Sequence, residues 1–181
     1  MRTARGIPEV AVDPSGGKLY VVWQDGRFSR DDHDDIALAS SPDGGRHWTV
    51  PRRVNTPTGW PAFTPSVAVD ASGIVGITYY DFRSMPTAPR TGPIQLLTSY
   101  WFTSSRDGGA TFGHETRLAG PFDIVKAPNA RGFFLGDYEG LAAAGTRFQS
   151  LFARVNPGDP DNRTDIVTTT IEPTCDRMSC P

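Results

Sequence analysis

The sequence has little of what nucleic-acid-binding and membrane-spanning proteins need. Its 18 Lys and Arg residues are outnumbered by 20 Asp and Glu residues, which gives a formal net charge of -2. No run of basic residues offers a footprint for a phosphate backbone. No apolar stretch approaches the ~20 residues that a transmembrane helix requires. We therefore expect neither a nucleic-acid partner nor a membrane span.

Cysteine is also scarce, since Cys175 and Cys180 are the only two in the chain. Two cysteines without further ligands do not make a tetrahedral metal site, and we expect no metal or other cofactor. Two interpretations stay open for the pair. They form a small disulfide loop, which would point to an oxidising compartment, or they are two free thiols.

Helical periodicity is missing as well. No stretch repeats apolar residues at the 3.6-residue period of an amphipathic helix. Instead, short runs rich in β-branched and aromatic residues, such as 19–23 and 74–80, are separated by turn clusters. The chain contains 19 Gly and 16 Pro, which suits many short strands and turns. The pattern predicts an all-β fold with almost no helix.

What the sequence does contain is an internal repeat. The octapeptide 41–48 has the form Ser-x-Asp-Gly-Gly-x-x-aromatic, and the same form returns at 105–112. In such a stretch an Asp side chain accepts backbone hydrogen bonds, a Gly takes positive φ and the aromatic ring closes over the turn. Around the octapeptides a larger unit repeats: 65–70 matches 8–13, and Asp81-Phe82-Arg83 matches Asp25-Gly26-Arg27.

The octapeptides resemble the Asp box, or BNR repeat, of sialidases and sialidase-like β-propellers. The first copy fits at every fixed position, and the second has Phe112 where the family has Trp. This resemblance implies a β-propeller of four-stranded antiparallel blades, six in the family and about three in this chain. We place the blades at about 8–60, 65–120 and 133–172 within a propeller region 1–172, followed by a C-terminal tail at 173–181.

The number of blades raises the question of closure. Closed propellers typically have about 4 to 8 blades, so three cannot close a ring alone. The residues before Pro8 lack the apolar core of a signal peptide, and we interpret them as a start within a longer protein. We expect either missing blades or self-association to complete the ring.

The resemblance also implies a function. In exo-α-sialidases three arginines bind the sugar carboxylate, a Tyr paired with a Glu is the nucleophile, and an Asp is the acid/base. Guanidinium groups offer a planar fork of donors to a carboxylate, and a carboxylate can activate a phenol as a nucleophile. The resemblance therefore predicts a secreted or cell-surface glycosidase acting on terminal sugars of extracellular glycans, partial or inactive as this fragment. The alternative is a non-catalytic propeller that binds glycans or proteins.

Three arginines are candidates for binding the substrate. Arg27 and Arg83 both follow the second strand of a repeat, and Arg154 stands at nearly the same place in the third. A residue repeated in each blade can equally be structural, paired with Asp25 or Asp81 at the corner. Convergence on the propeller axis would favour substrate binding, whereas ion pairs at separate corners would favour the structural interpretation.

The segment 136–140 supplies the catalytic candidates Asp137, Tyr138 and Glu139. It opens an inner strand of the third repeat, where a propeller presents side chains to its central channel. Adjacent strand residues point to opposite faces, so Tyr138 and Glu139 are not expected to pair with each other. The structural alternative is that Tyr138 packs between blades and Asp137 bonds a turn.

Two acidic loops, 31–35 and 159–165, precede the third strand of their repeats. Clustered carboxylates can hold Ca²⁺ through oxygen ligands, but neither loop has the spacing of an EF-hand. We expect solvated acidic loops without a bound metal.

Overall fold

The computed structural model describes residues 7–56, 59–86 and 92–173, and the described chain is all-β. Helix is limited in these ranges to two single 3-10 turns at Gly26–Phe28 and Ile124–Lys126. The strands form three antiparallel sheets, which we call blades 1, 2 and 3. Blade 1 contains β1 (Glu9–Val12), β2 (Leu19–Asp25), β3 (Asp35–Ser41) and β4 (Arg52–Arg53). Blade 2 contains β5 (Ala62–Val69), β6 (Val75–Asp81), β7 (Leu97–Ser105) and β8 (Thr116–Asp123). Blade 3 contains β9 (Gly140–Ala144), β10 (Arg147–Val155) and β11 (Thr164–Ile171).

Each blade is a meander in which every strand pairs with the next along the chain. The first strands of the blades lie side by side, because β5 contacts both β1 and β9. These three strands are therefore the inner strands, and the others extend outward from them. The predicted all-β fold of four-stranded antiparallel blades is confirmed, with three strands described in blade 3.

The cores lie between the blades. Neighbouring residues of β6 show how this works, because successive strand side chains point to opposite faces. Tyr79 packs toward blade 1 in a cluster with Val22, while Tyr80 packs toward blade 3 in a cluster with Phe152. Each large apolar side chain buried in this way contributes roughly 1.5–3 kcal/mol. The blades are consequently held together by their faces.

The two octapeptides fold into the same turn. In the first, Ser41 Oγ donates to Asp43 Oδ1 over 2.8 Å, and the Gly45 N–H donates to Ser41 Oγ over 2.9 Å. In the second, Ser105 Oγ donates to Asp107 Oδ1 over 2.7 Å, and the Gly109 N–H donates to Ser105 Oγ over 2.8 Å. Gly45 and Gly109 have φ values of 90° and 88°, a region in which a side chain is strained. The repeat in sequence is thus a repeat in geometry.

Gly76 permits the contact between blades 2 and 3. A Cβ at this position in β6 would lie 2.7 Å from Phe148 Cε1 and 2.9 Å from Phe102 Cε2. We expect Gly76→Ala to lower the free energy of unfolding by about 1–3 kcal/mol, because the rings must move apart. Urea denaturation measures the loss. Gly113→Ala is the matched control, since its Cβ would meet only Ser104 O at an ordinary 3.6 Å, and equal losses would contradict the prediction.

Candidate functional site

The corner after β2 holds Arg27 in an ion pair within blade 1. Arg27 Nε lies 2.7 Å from Asp25 Oδ2, and the indole Nε1 of Trp23 donates to the same oxygen over 2.6 Å. Burial alone would raise the pKa of Asp25, but the hydrogen bonds from Arg27 and Trp23 outweigh it and lower the pKa. Half of the Arg27 side chain remains exposed.

The corresponding corner of blade 2 is buried and has more partners. Arg83 forms ion pairs with Asp81 and Glu115, and its Nη2 donates to the Tyr79 hydroxyl over 2.9 Å. The guanidinium lies 4.1 Å from the ring centroid of Trp101, whose Nε1 donates to Asp81 Oδ1 over 2.8 Å. Only 12% of the Arg83 side chain is exposed. Burial raises the pKa of Asp81 despite the neighbouring guanidinium.

Glu115 connects this corner to blade 1. Its Oε1 accepts the backbone N–H of Thr56 over 2.7 Å and also a hydrogen bond from the Tyr79 hydroxyl. Its Oε2 accepts from Arg83, so both carboxylate oxygens have partners. The network closes the interface between blades 1 and 2 on one face of β6.

Arg154 lies in a different environment. Its Nη2 is 3.9 Å from Asp165 Oδ2, and both residues line a cleft of about 400 Å³ with Pro121 and Asn156. The cleft separates β8, the last strand of blade 2, from β10 and β11. The three arginines thus occupy three corners, each next to an acid of its own blade. These are the pairs that the structural interpretation predicts, while substrate binding by the arginines stays a prediction.

The segment before β9 directs its side chains to different places. Tyr138 projects outward and is 64% exposed, so it does not pack between blades. Asp137 is half-buried, and Glu139 is buried, with 8% of the residue exposed. The structure therefore separates Tyr138 from Glu139, as the sequence predicts.

Glu139 is instead paired with Tyr80 of blade 2. The Tyr80 hydroxyl oxygen lies 2.9 Å from Glu139 Oε1 and 2.5 Å from the carbonyl oxygen of Ala153. The Ala153 N–H donates to Glu139 Oε2 over 3.2 Å. Three groups from two blades thus form a closed set of hydrogen bonds.

The geometry indicates where the protons lie. Tyr80 has one hydroxyl hydrogen but two oxygen atoms within hydrogen-bond distance. A proton on Glu139 Oε1 satisfies both contacts, because the acid donates to Tyr80 and Tyr80 donates to the Ala153 carbonyl. Burial agrees with this assignment, since it raises the pKa of Glu139 to about 8 despite the hydrogen bonds that lower it. Burial also raises the pKa of Tyr80 well above its usual 10. Both groups are therefore neutral at pH 7.

Arg83 and Glu139 belong to opposite faces of β6. Arg83 interacts with Tyr79 on the face toward blade 1, and Glu139 interacts with Tyr80 on the face toward blade 3. The sequence analysis did not single out Tyr79, Tyr80 or Glu115. The two adjacent tyrosines before Asp81 were the available signal, because the first repeat has Trp23 at the place of Tyr79.

The acidic loop 31–35 is only partly solvated. Asp31 and Asp32 are exposed, whereas Asp35 is buried and accepts a hydrogen bond from Asn55 Nδ2 over 2.8 Å. His33 Nε2 lies 3.9 Å from Asp35 Oδ2. Within 7–56, 59–86 and 92–173, no three His, Cys, Asp or Glu residues are arranged to hold a metal ion. No helix in the same ranges has the length and apolarity to cross a membrane. The predicted pairing of Cys175 and Cys180 lies outside the described residues.

Solved structures resemble the three blades over 92% of the chain. They include a Hadza microbial sialidase, Hz136 (TM-score 0.56, 17% identity), and an α-L-arabinanase from Penicillium chrysogenum complexed with arabinobiose (TM-score 0.57, 15% identity). A third is the E242A mutant of an α-L-arabinofuranosidase from Fusarium graminearum, in complex with an iminosugar inhibitor (TM-score 0.61, 15% identity). The chain has a β-propeller fold.

This propeller segment spans less than half of the structures that it resembles. It covers 38% of the sialidase, 45% of the arabinanase and 45% of the arabinofuranosidase. No protein-family model matches the chain, and no curated protein matches it in sequence. At these identities the likeness shows the fold.

Proposed function

We propose that the three blades belong to a sialidase-like glycoside hydrolase that acts on terminal sugars of extracellular glycans and is secreted or held at the cell surface. Two features support the proposal. The octapeptide turns resemble Asp boxes, and the similar structures are named as a sialidase, an arabinanase and an arabinofuranosidase. The sugar that is released belongs to the same proposal.

The buried carboxyl of Glu139 carries the proposal. Glycosidases commonly need a carboxylic acid that keeps its proton near neutral pH and gives it to the leaving-group oxygen. Burial raises the pKa of Glu139 to about 8, and the residue directly precedes the inner strand β9. Glu139 is therefore our candidate for the general acid. Asp137, two residues earlier, is the candidate for a second carboxyl group.

The finer proposal, a sialidase-type mechanism, assigns roles to the exposed groups. Tyr138 is the candidate nucleophile, because it is exposed, whereas Tyr80 is fully buried and its pKa is raised. Arg27 and Arg154 keep about half of their side chains exposed and can still approach a sugar carboxylate. Arg83 would have to exchange Asp81 or Glu115 for the substrate. We accordingly rank it below the other two arginines.

Hydrolysis of fluorogenic glycosides tests the proposal. We expect turnover of an α-sialoside or an α-L-arabinofuranoside of methylumbelliferone, and a fall in kcat of about 100- to 10,000-fold in Glu139→Gln. The substituted amide keeps the size of the acid but has no proton to transfer to the leaving group. Glu172→Gln is the control, since Glu172 is 74% exposed and pairs with the exposed Arg147. Equal kcat values in Glu139→Gln and wild type would exclude Glu139 as the acid.

The second candidate function is glycan or protein binding without catalysis. The ion pairs at the arginine corners favour it, because a binding surface does not need converging guanidinium groups. If neither glycoside is hydrolysed, calorimetric titration with the free sugars distinguishes the candidates. Binding that is lost in Tyr138→Ala would support glycan recognition, and no binding would exclude these sugars as ligands.

A further inference from the structure

Blade 1 has an open apolar face. Val10 and Val12 of β1 are 57% and 54% exposed, and Trp48 is 45% exposed. Val21 and Trp23 of β2 are only half-buried. Contiguous apolar patches of this kind on a folded protein mark contact surfaces more often than single exposed side chains do.

The internal repeat shows what kind of surface this is. Val10 and Val12 correspond to Val67 and Val69 of blade 2, which are 5% and 7% exposed because they pack in the cluster between blades 1 and 2. The remaining positions of the open face correspond in the same way: Val21 to Ile77, Trp23 to Tyr79, and Trp48 to Phe112. All three of these residues of blade 2 pack in or against that cluster. The open face of blade 1 therefore has the residues with which blade 2 receives its preceding blade.

Blade 3 has the opposite kind of open face. Leu151 of β10 and Ile166 of β11 are 52% and 69% exposed, on the side turned away from blade 2. Thr168, opposite Leu151 in the register, adds to the same face. In blades 1 and 2 the corresponding side of the sheet packs on the following blade. The two open ends of the chain are thus matched in role.

We propose that a second copy of this chain covers both faces, with blade 3 of each copy packed on blade 1 of the other. A contact between two different faces closes into a ring when a whole number of copies completes the rotation. Two copies supply six blades, within the range of about 4 to 8 that closed propellers use. The structures that this chain resembles are also about twice its length, since it covers 38–45% of them.

The ring has a consequence for the candidate site. It would place the inner strands of both copies around one axis, so that blade 1 of the partner borders the region before β9. The candidate groups of blade 3 would then face residues of the second copy. This inference concerns packing, and it stands whether or not the propeller hydrolyses glycosides.

Sedimentation equilibrium of the full 181-residue chain tests the proposal. We expect twice the chain mass of 19.7 kDa. Val12→Arg on the blade 1 face and Ile166→Asp on the blade 3 face should each weaken dimerisation by at least about 100-fold, because each places a charge in an apolar contact. Ile94→Arg is the control, since Ile94 is 77% exposed but belongs to the middle blade. Circular dichroism verifies that the variants fold.

A mixture of the two variants distinguishes this ring from other dimers. In a mixed pair, one interface joins two unaltered faces, and the other brings the introduced arginine of one copy against the introduced aspartate of its partner. We expect the mixture to recover dimers that neither variant forms alone. A wild-type chain that is monomeric at about 100 μM would overturn the proposal and favour blades from another polypeptide. A dimer that survives both substitutions, or that mixing does not restore, would also overturn it.

Discussion

Replacing Arg83 by methionine should lower the free energy of unfolding by about 3–5 kcal/mol, whereas Arg27→Met should lower it by less than about 1 kcal/mol. The two residues occupy equivalent corners of successive blades, but their surroundings differ. Arg83 has 12% of its side chain exposed and neutralises two buried acids, Asp81 and Glu115. Removing it leaves both carboxylates without their cation. Arg27 is half exposed, so water replaces it beside Asp25.

Urea denaturation at about pH 7 measures both losses. The two variants serve as controls for each other, because each removes one arginine that follows an Asp by two residues. Similar losses would contradict the assignment of Arg83 to a buried network. If Arg83→Met were as stable as wild type but lost glycan binding or hydrolysis, the substrate-binding role of Arg83 would be supported instead.

Glu139→Gln should make the protein more stable than wild type above pH 8 and leave it nearly unchanged at pH 4 to 5. The pKa of Glu139 is raised from 4.5 to about 8 by burial, so the folded state binds the proton more tightly than the unfolded chain. The stabilisation from this proton is fully present below pH 4.5 and is lost as pH rises through 8. Glutamine reproduces the protonated acid, because its amide donates to Tyr80 and its carbonyl accepts from Ala153.

The expected gain is on the order of 3 kcal/mol at about pH 9, since one unit of pKa shift corresponds to about 1.4 kcal/mol. Denaturant unfolding at about pH 5, 7 and 9 measures the pH profile of both proteins. Glu172→Gln, at an exposed site, should follow the wild-type profile. Parallel profiles for Glu139→Gln and wild type would show that Glu139 is ionised in the folded state at neutral pH.

The local parts of the structure were predictable because their hydrogen bonds span few residues. Asp43 and Asp107 accept backbone N–H groups within the same octapeptide, so the turn is encoded in eight positions. The pairing of Arg27 with Asp25 spans two residues and was one of the two interpretations offered for the repeat. The prediction of an all-β meander rests on the same kind of short-range pattern. For Arg83, its pairing with Asp81 could be anticipated, but its pairing with Glu115 could not.

The sequence by itself determined the strands, the repeated turns and the succession of similar blades, because alternation and turn chemistry act between near neighbours. Only the tertiary structure decided that Glu139 meets Tyr80, that Arg83 is buried with Glu115, and that Arg154 lies by an outer cleft. These contacts join residues that are far apart in the chain. They depend on which face each blade turns toward its neighbour, and that is fixed only when the blades pack.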